Sequence, residues 1–120
     1  MRGLYQDDIL NFIMVHPPTS LQPILWSVNV KHLDLEEDKG YIIPQVLVYG
    51  TLKEIRWLFQ TYSKSAIASF FMNHPVKLYP KDIFLFTKNY LLGLEHKSLD
   101  ADKYVTSFFG PTKQRTANRV

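Results

Sequence analysis

Apolar side chains recur at helical spacing along most of this chain, and short breaking segments divide them into successive stretches. Apolar residues three or four positions apart lie on one face of an α-helix, which buries that face against its neighbours. Short connections between successive helices are typical of a bundle. The pattern therefore predicts an all-α fold, a compact bundle of about five helices with short connections.

The breaking segments predict where these helices begin and end. Gly50 and Gly93 are natural stops, and Thr51 followed by Glu54 three residues later predicts a capping box. Pro44 lacks the N–H group that a helix interior needs, so it is expected in the first turn of its helix. The predicted helices run from Leu4 to about Met14, from near Tyr41 to Gly50, from Thr51 to about Tyr62, from Ser63 to about Met72, and from Lys81 to Leu92.

Each predicted helix has apolar positions that are expected to face the core. They are Leu4, Ile9, Phe12 and Ile13; Ile42, Ile43, Val46, Leu47 and Tyr49; Leu52, Ile55, Leu58, Phe59 and Tyr62; Ile67, Phe70 and Phe71; and Ile83, Phe84, Phe86, Tyr90 and Leu91. Ile42-Ile43 and the residues from Gln45 to Tyr49 are also β-branched and aromatic enough to suit a strand, so a strand remains the alternative there. Residues 1–97 are predicted to form a single helical domain. Residues 98–120 have weaker periodicity and are predicted to be an irregular segment ending in a flexible basic tail.

The chain is electrically polarised. Residues 1–50 carry three basic and six acidic side chains, whereas residues 51–120 carry eleven basic and five acidic ones. A basic C-terminal half is compatible with contact to nucleic acid or to an acidic protein surface, although many soluble domains show the same asymmetry.

The composition limits the cell compartment and the side-chain chemistry that are expected for this protein. The chain has no cysteine, which excludes disulfides, thiolate metal sites and a cysteine nucleophile, and fits a reducing cytoplasm. The uncharged run from Ile9 to Val30 is long enough to consider as a membrane span, but Pro17, Pro18 and Pro23 would break such a helix. We therefore expect a cytoplasmic protein with no membrane contact.

No motif for catalysis or cofactor binding is found. The five glycines lie far apart, so neither a dinucleotide-binding nor a P-loop pattern is present, and no G-x-S-x-G motif occurs. The densest group of potential metal ligands, His32 with the acids of residues 34–38, has neither zinc nor EF-hand spacing and suits a helix N-terminus. We expect no enzyme activity, no cofactor and no metal.

Two sets of residues are candidates for binding a partner. Trp57 falls off the inward stripe of its helix, and an exposed tryptophan is a candidate anchor for a protein partner, although burial on two sides of the helix would also explain it. Lys53, Arg56, Trp57 and Gln60 are therefore predicted to form one exposed contact face.

The alternative is a DNA-binding helix-turn-helix, in which Ser63–Met72 is the second helix. Small polar residues on that helix could approach base edges, and nearby lysines could neutralise phosphates. Its candidate residues are Lys64, Ser65, Ser69, Lys77 and Lys81. Because neighbouring short helices are common in all-α domains, a purely structural role is also consistent with this pattern.

Residues 24–92 resemble a family of small, mostly uncharacterised prokaryotic proteins. The matching pieces are Ile24–Asn29, Leu33-Asp34, Tyr41–Gly50 with its Val-Leu-x-x-Gly ending, Ile55–Tyr62 with Trp-Leu-x-x-Tyr, and Leu78–Asp82 with Leu-Tyr-Pro-Lys. Ser27 and Asn29 stand where that family tends to have Asp, and Pro44 replaces a typical helix former.

Such proteins are often encoded beside nucleotidyltransferase-like toxins of the abortive-infection type. The resemblance thus implies an antitoxin-like role, in which a cognate toxin protein is the partner. The resemblance identifies no catalytic residue in this chain. The alternative function, an autoregulatory DNA-binding module, is open at this point, and the oligomeric state is not predicted.

Overall fold

The computed structural model describes residues 16–106, and four α-helices lie within that range. They are α1 (Lys39–Tyr49), α2 (Leu52–Thr61), α3 (Lys64–Asn73) and α4 (Lys81–Phe86), and α4 continues directly into a π-helical turn, Thr87–Leu91. Short 3₁₀ turns occur at Thr19–Leu21, Val30–His32 and Ala101–Lys103. The described range contains no strand, only an isolated parallel bridge between Tyr79 and Val105. The all-α prediction is confirmed, and the strand alternative for Ile42-Ile43 and Gln45–Tyr49 is wrong, since all of them lie in α1.

Two details of the predicted helices need correction. The structure has four α-helices in residues 16–106 rather than about five; the predicted helix from Leu4 to Met14 lies outside the described residues, as does the predicted tail from Gly110. The helix predicted to start near Tyr41 starts at Lys39, so Pro44 lies in its second turn rather than its first. The N–H that Pro44 lacks would have bonded the carbonyl of Gly40, and Gly40 is exposed, so water can satisfy that carbonyl.

Helix α1 lies at the centre of the fold. Its six consecutive residues from Ile42 to Leu47 are all buried, so it is covered on nearly every side, and it packs most closely against α2. The fully buried side chains around it come from every part of the described chain and include Leu25, Leu58 and Ile67. A helix that is apolar all round belongs inside a core, which explains why α1 has only a weak amphipathic pattern.

An aromatic cluster forms the second part of the core. Phe71 of α3 and Phe84 of α4 pack with Tyr79 and Tyr104, and the ring centroid of Tyr104 lies 4.8 Å from that of Phe71 and 5.0 Å from that of Phe84. Main-chain hydrogen bonds from Tyr79 N to Tyr104 O (2.9 Å) and from Thr106 N to Tyr79 O (3.0 Å) hold the last described segment in place. The segment after Ser98 therefore contributes a buried tyrosine to the core.

Several residues that were expected to face the core are exposed instead. Leu52 is 71% exposed, Tyr90 is 78% exposed, and Tyr49 and Phe86 are each about half exposed. Leu52 is the first residue of α2, so no preceding turn of that helix covers it. Tyr49 is the last residue of α1, so no following turn covers it. In α4 and its π turn, Phe84 and Thr87 take the inward positions, which leaves Phe86 and Tyr90 outside. Gly93 then adopts φ +65°, the left-handed conformation that favours glycine, and acts as the predicted stop.

Candidate interaction face of helix α2

The beginning of α2 is held by the predicted capping box. The Glu54 carboxylate accepts a 2.6 Å hydrogen bond from the main-chain N–H of Thr51 and another from the Thr51 hydroxyl. These hydrogen bonds lower the pKa of Glu54, since they favour its charged form. The first turn of α2 is therefore well ordered, and the side chains that it presents have defined directions.

The four residues predicted to form a contact face lie on one side of α2. Their positions, i, i+3, i+4 and i+7, place Lys53, Arg56, Trp57 and Gln60 along one stripe of the helix. The structure leaves Lys53, Arg56 and Gln60 exposed and Trp57 half-buried. Leu58, on the inner side, is fully buried. Trp57 also packs against the hydrophobic core, as burial on two sides of α2 would explain, and the binding role of this stripe stays a prediction.

Trp57 lies beside a surface notch that the sequence did not reveal. Trp57, Lys53 and Glu54 from α2 form one wall, and Pro18, Ser20 and Leu21 from the first 3₁₀ turn form the other. The notch has a volume of about 190 Å³, enough for one medium-sized side chain. Because the two walls are far apart along the chain, only the tertiary structure brings them together.

Three exposed apolar residues surround the junction between α1 and α2. Trp26 stands edge-on to Tyr49, with the ring centroids 4.8 Å apart, and Leu52 begins the next helix. The Trp26 loop is held against α1, because the side-chain amide of Gln45 donates to the carbonyl of Ile24 (3.1 Å), and the main-chain N–H of Ser27 donates to the Tyr41 hydroxyl (3.1 Å). The junction therefore displays an aromatic pair in a fixed position.

The α2 stripe is cationic. In residues 16–106 the structure has one ion pair, between Lys39 and Glu36, so neither Lys53 nor Arg56 is paired with an acid of that range. Glu54, the acid of α2, accepts both Thr51 hydrogen bonds on one of its carboxylate oxygens. Lys53 and Arg56 can thus both bind a carboxylate from outside the described residues.

The acidic residues gather at the other end of α2. The hydroxyl of Tyr62, which follows α2, donates to the carbonyl of Leu35 in the acidic loop that precedes α1. Burial raises the pKa of Tyr62, and the nearby charges of Glu36, Asp34 and Asp38 raise it further. The separation of acidic from basic residues along the sequence is therefore also present in space, between the two ends of α2.

The residues proposed for DNA contact are all exposed but do not share one element. Lys64, Ser65 and Ser69 lie on α3, Lys77 lies in the loop after it, and Lys81 begins α4. The Lys77 ammonium donates to the carbonyl of Asp102 (2.8 Å), and the Ser69 hydroxyl accepts from the Asn73 amide (3.2 Å), so both already have partners within the chain. Only Tyr62 and Ser63 separate α2 from α3. A helix-turn-helix function for this pair stays a prediction.

Neither a metal-ligand cluster nor a membrane-spanning helix occurs in residues 16–106. Within residues 16–106 no three His, Asp or Glu side chains are grouped so that they could hold a metal ion. None of the helices described there is long and apolar enough to cross a membrane.

Comparison with protein families gives a match to part of the chain. Residues 21–71 match a family of unknown function (DUF6922). Comparison with curated proteins and with solved structures gives no match. The matched segment contains α1, α2 and most of α3, and so includes the whole contact stripe together with Trp26, Tyr49 and Leu52. The match supports the resemblance to a family without an assigned function, while the genomic neighbours and the antitoxin role stay predictions.

Proposed function

We propose that this protein is a non-enzymatic interaction protein, antitoxin-like, that binds and neutralises a cognate nucleotidyltransferase-type toxin through the outer stripe of α2. The observation that supports this most strongly is one capped helix that carries a half-buried tryptophan next to an open notch and two cations without an ion-pair partner in residues 16–106. The identity of the partner rests on the sequence resemblance, and the binding surface rests on this geometry.

The stripe has the composition of a protein-binding surface. Tryptophan and arginine are enriched among the residues that contribute most to protein–protein affinity, particularly where a neighbouring pocket excludes water. Arg56 can form paired hydrogen bonds with a carboxylate, and Lys53 adds a second positive charge close by. The matching partner surface carries acidic residues around one apolar side chain that enters the notch beside Trp57.

The direct test measures binding between the purified chain and the product of the neighbouring toxin-like gene. Trp57→Ala and Arg56→Ala should each raise the dissociation constant roughly tenfold or more, the effect of removing a residue central to an interface. Lys97→Ala removes an exposed charge from a loop outside the stripe and should leave affinity within about twofold of the original value. Circular dichroism of each variant establishes that the fold is retained.

The outcomes separate the two parts of the proposal. If the toxin-like protein does not bind, the proposed partner is wrong. If it binds and neither α2 variant weakens the complex, the proposed surface is wrong.

A pull-down from lysate, with and without nuclease and at two salt concentrations, distinguishes the DNA alternative. A protein partner that survives both treatments supports the proposal. Loss of all partners with nuclease would instead favour the lysines around α3, with a logarithmic salt dependence of roughly −0.9 per phosphate contacted.

A further inference from the structure

An apolar strip on α4 and its π turn lies outside the stripe proposed for toxin binding. Leu85 is 43% exposed, Phe86 is 48% exposed, and Tyr90 is the most exposed large hydrophobic residue of the described chain. Leu85 also lines a groove of about 460 Å³, against about 190 Å³ for the notch beside Trp57. An exposed apolar surface next to a groove of this size is typical of a site that another segment or molecule covers.

The groove is formed by the residues that begin α4. It is lined by Pro80, Lys81, Asp82 and Leu85, and most of its surface belongs to apolar atoms. The hydrophobic effect therefore favours an uncharged, apolar occupant over a charged one, which would lose its hydration in the groove.

The last described residues direct the chain toward this groove. Val105 pairs with Tyr79 in the parallel bridge, and the main-chain N–H of Thr106 donates to the carbonyl of Tyr79 (3.0 Å). Tyr79 directly precedes Pro80, the first residue of the groove. Because parallel chains advance in the same direction, an extended continuation beyond Thr106 runs along Pro80 and the start of α4. The hydroxyl of Thr106 is buried, so the chain is still packed against the protein at this point.

The sequence that follows matches the apolar character of the groove. Residues 107–110 read Ser-Phe-Phe-Gly and carry no charge. In an extended pair, side chains alternate between two faces, and directly paired residues share a face. Since Val105 pairs with Tyr79, the next residues, Thr106 and Pro80, share the other face. An extended continuation returns Phe108 to that face within about 7 Å of Thr106 and puts Phe109 on the opposite one.

We propose that Phe108 of the same chain docks in this groove and covers Leu85, so that residues 107–109 continue the pairing that begins at Val105. Burial of the phenylalanine side chain stabilises the docked segment. The hydrogen bond at Thr106 already holds this segment beside the groove, so docking costs little further chain entropy. A second copy or another protein would have to lose its freedom of motion to bind there. This difference favours the chain's own segment as the occupant.

The docked segment extends the folded domain. The sequence predicts a domain that ends at residue 97, whereas this contact moves its end to about residue 109 and holds the start of the basic segment beside α4. The proposal concerns residues outside the α2 stripe and does not depend on the toxin-binding function.

The first test measures how well Leu85 is covered, with a cysteine in its place in the full-length chain, which has none of its own. We expect the thiol of Leu85→Cys to react slowly with a thiol reagent. Adding Phe108→Ser should raise the reaction rate roughly tenfold or more, because the buried phenylalanine is lost. The matched control, Phe109→Ser, removes the same side chain from the opposite face and should leave the rate within about twofold. Circular dichroism of each variant establishes that the fold is retained.

The second test measures the contact itself. Leu85→Cys combined with Phe108→Cys should form a disulfide within one chain on mild oxidation, whereas Leu52→Cys combined with Phe108→Cys should not. Electrophoresis without reductant, followed by peptide mass mapping, distinguishes a disulfide within one chain from one between two chains.

Three results would overturn the proposal. Equal thiol reaction rates with and without Phe108→Ser would show that Phe108 does not cover Leu85. A rate that rises with Phe109→Ser alone would contradict the register. A disulfide that links two chains, with none inside one chain, would show that a second copy occupies the groove.

Discussion

The hydroxyl of Tyr104 donates a 2.7 Å hydrogen bond to the main-chain carbonyl of Phe71, near the end of α3. Inside a longer helix this carbonyl would accept from the N–H four residues later, but that residue is Pro75, which has none. Tyr104 therefore supplies the donor that the end of α3 lacks. It also connects the segment that matches the family to a part of the chain beyond that match.

Replacing Tyr104 with phenylalanine should weaken this connection while keeping the aromatic packing. The change leaves the buried carbonyl of Phe71 without its donor, so the free energy of unfolding should fall by about 1–2 kcal/mol. Urea denaturation measures this loss. Tyr49→Phe removes a hydroxyl from a half-exposed ring and should change the stability by less than about 0.5 kcal/mol. Equal losses in the two variants would contradict the role given to Tyr104.

Stability should fall at alkaline pH because of three buried or half-buried tyrosines. Burial raises the pKa of Tyr104, Tyr79 and Tyr62 above the ordinary value of 10.0, so the fold favours their neutral forms. This contribution is fully present below about pH 10 and is lost as the pH rises above it toward the folded-state pKa values. Denaturant midpoints measured across this interval should therefore decrease. The decrease should be smaller in Tyr104→Phe, and an identical decrease would exclude Tyr104 as a contributor.

Two glycines at the ends of α1 should respond in opposite ways to alanine. A Cβ at Gly50 would lie 2.6 Å from the carbonyl oxygen of Val46, so Gly50→Ala must shift the backbone between α1 and α2 and should cost about 1–3 kcal/mol. A Cβ at Gly40 meets only the Phe70 ring at 3.7 Å, an ordinary contact. Gly40→Ala should therefore stabilise the protein by about 0.5–1 kcal/mol, because alanine favours the helix. Thermal unfolding of both variants tests this contrast.

The capping box of α2 should make a contribution that depends on acid pH. Thr51→Ala should cost about 1 kcal/mol, the usual effect of removing a helix cap. The Thr51 hydrogen bonds lower the pKa of Glu54 from its ordinary value of 4.5. The stability that the charged Glu54 contributes is therefore present above pH 4.5 and is lost as the pH falls through the lowered pKa. Glu54→Gln should reduce the pH dependence of stability in this interval. A variant with unchanged acid sensitivity would show that other carboxylates dominate it.

The helices with local end signals were predicted well. Thr51 with Glu54 marks the start of α2, and Ser63 accepts a hydrogen bond from the N–H of Ala66 at the start of α3, as its position predicts. These signals act within four residues, so the sequence displays them directly. The start of α1 was predicted less accurately, because the preference of proline for a first turn did not hold at Pro44, which is buried in the second turn.

The candidate site likewise has one part that the sequence predicts and other parts that it does not. Helical periodicity alone places Lys53, Arg56, Trp57 and Gln60 on one stripe. The wall formed by Pro18 and Leu21, the pairing of Trp26 with Tyr49, and the exposure of Phe86 and Tyr90 could not be predicted in that way. Each depends on which distant segment packs against a helix.

The sequence by itself thus determined the features that depend on local hydrogen bonding and on the helical period. These are the all-α class, the caps of α2 and α3, and the stripe on α2. Tertiary packing decided the rest, including the burial of Tyr104, the notch beside Trp57 and the apolar strip on α4. The physical reason is range. A cap or a helical face is set by residues within one or two turns, whereas burial is set by the neighbours that the folded chain brings from elsewhere.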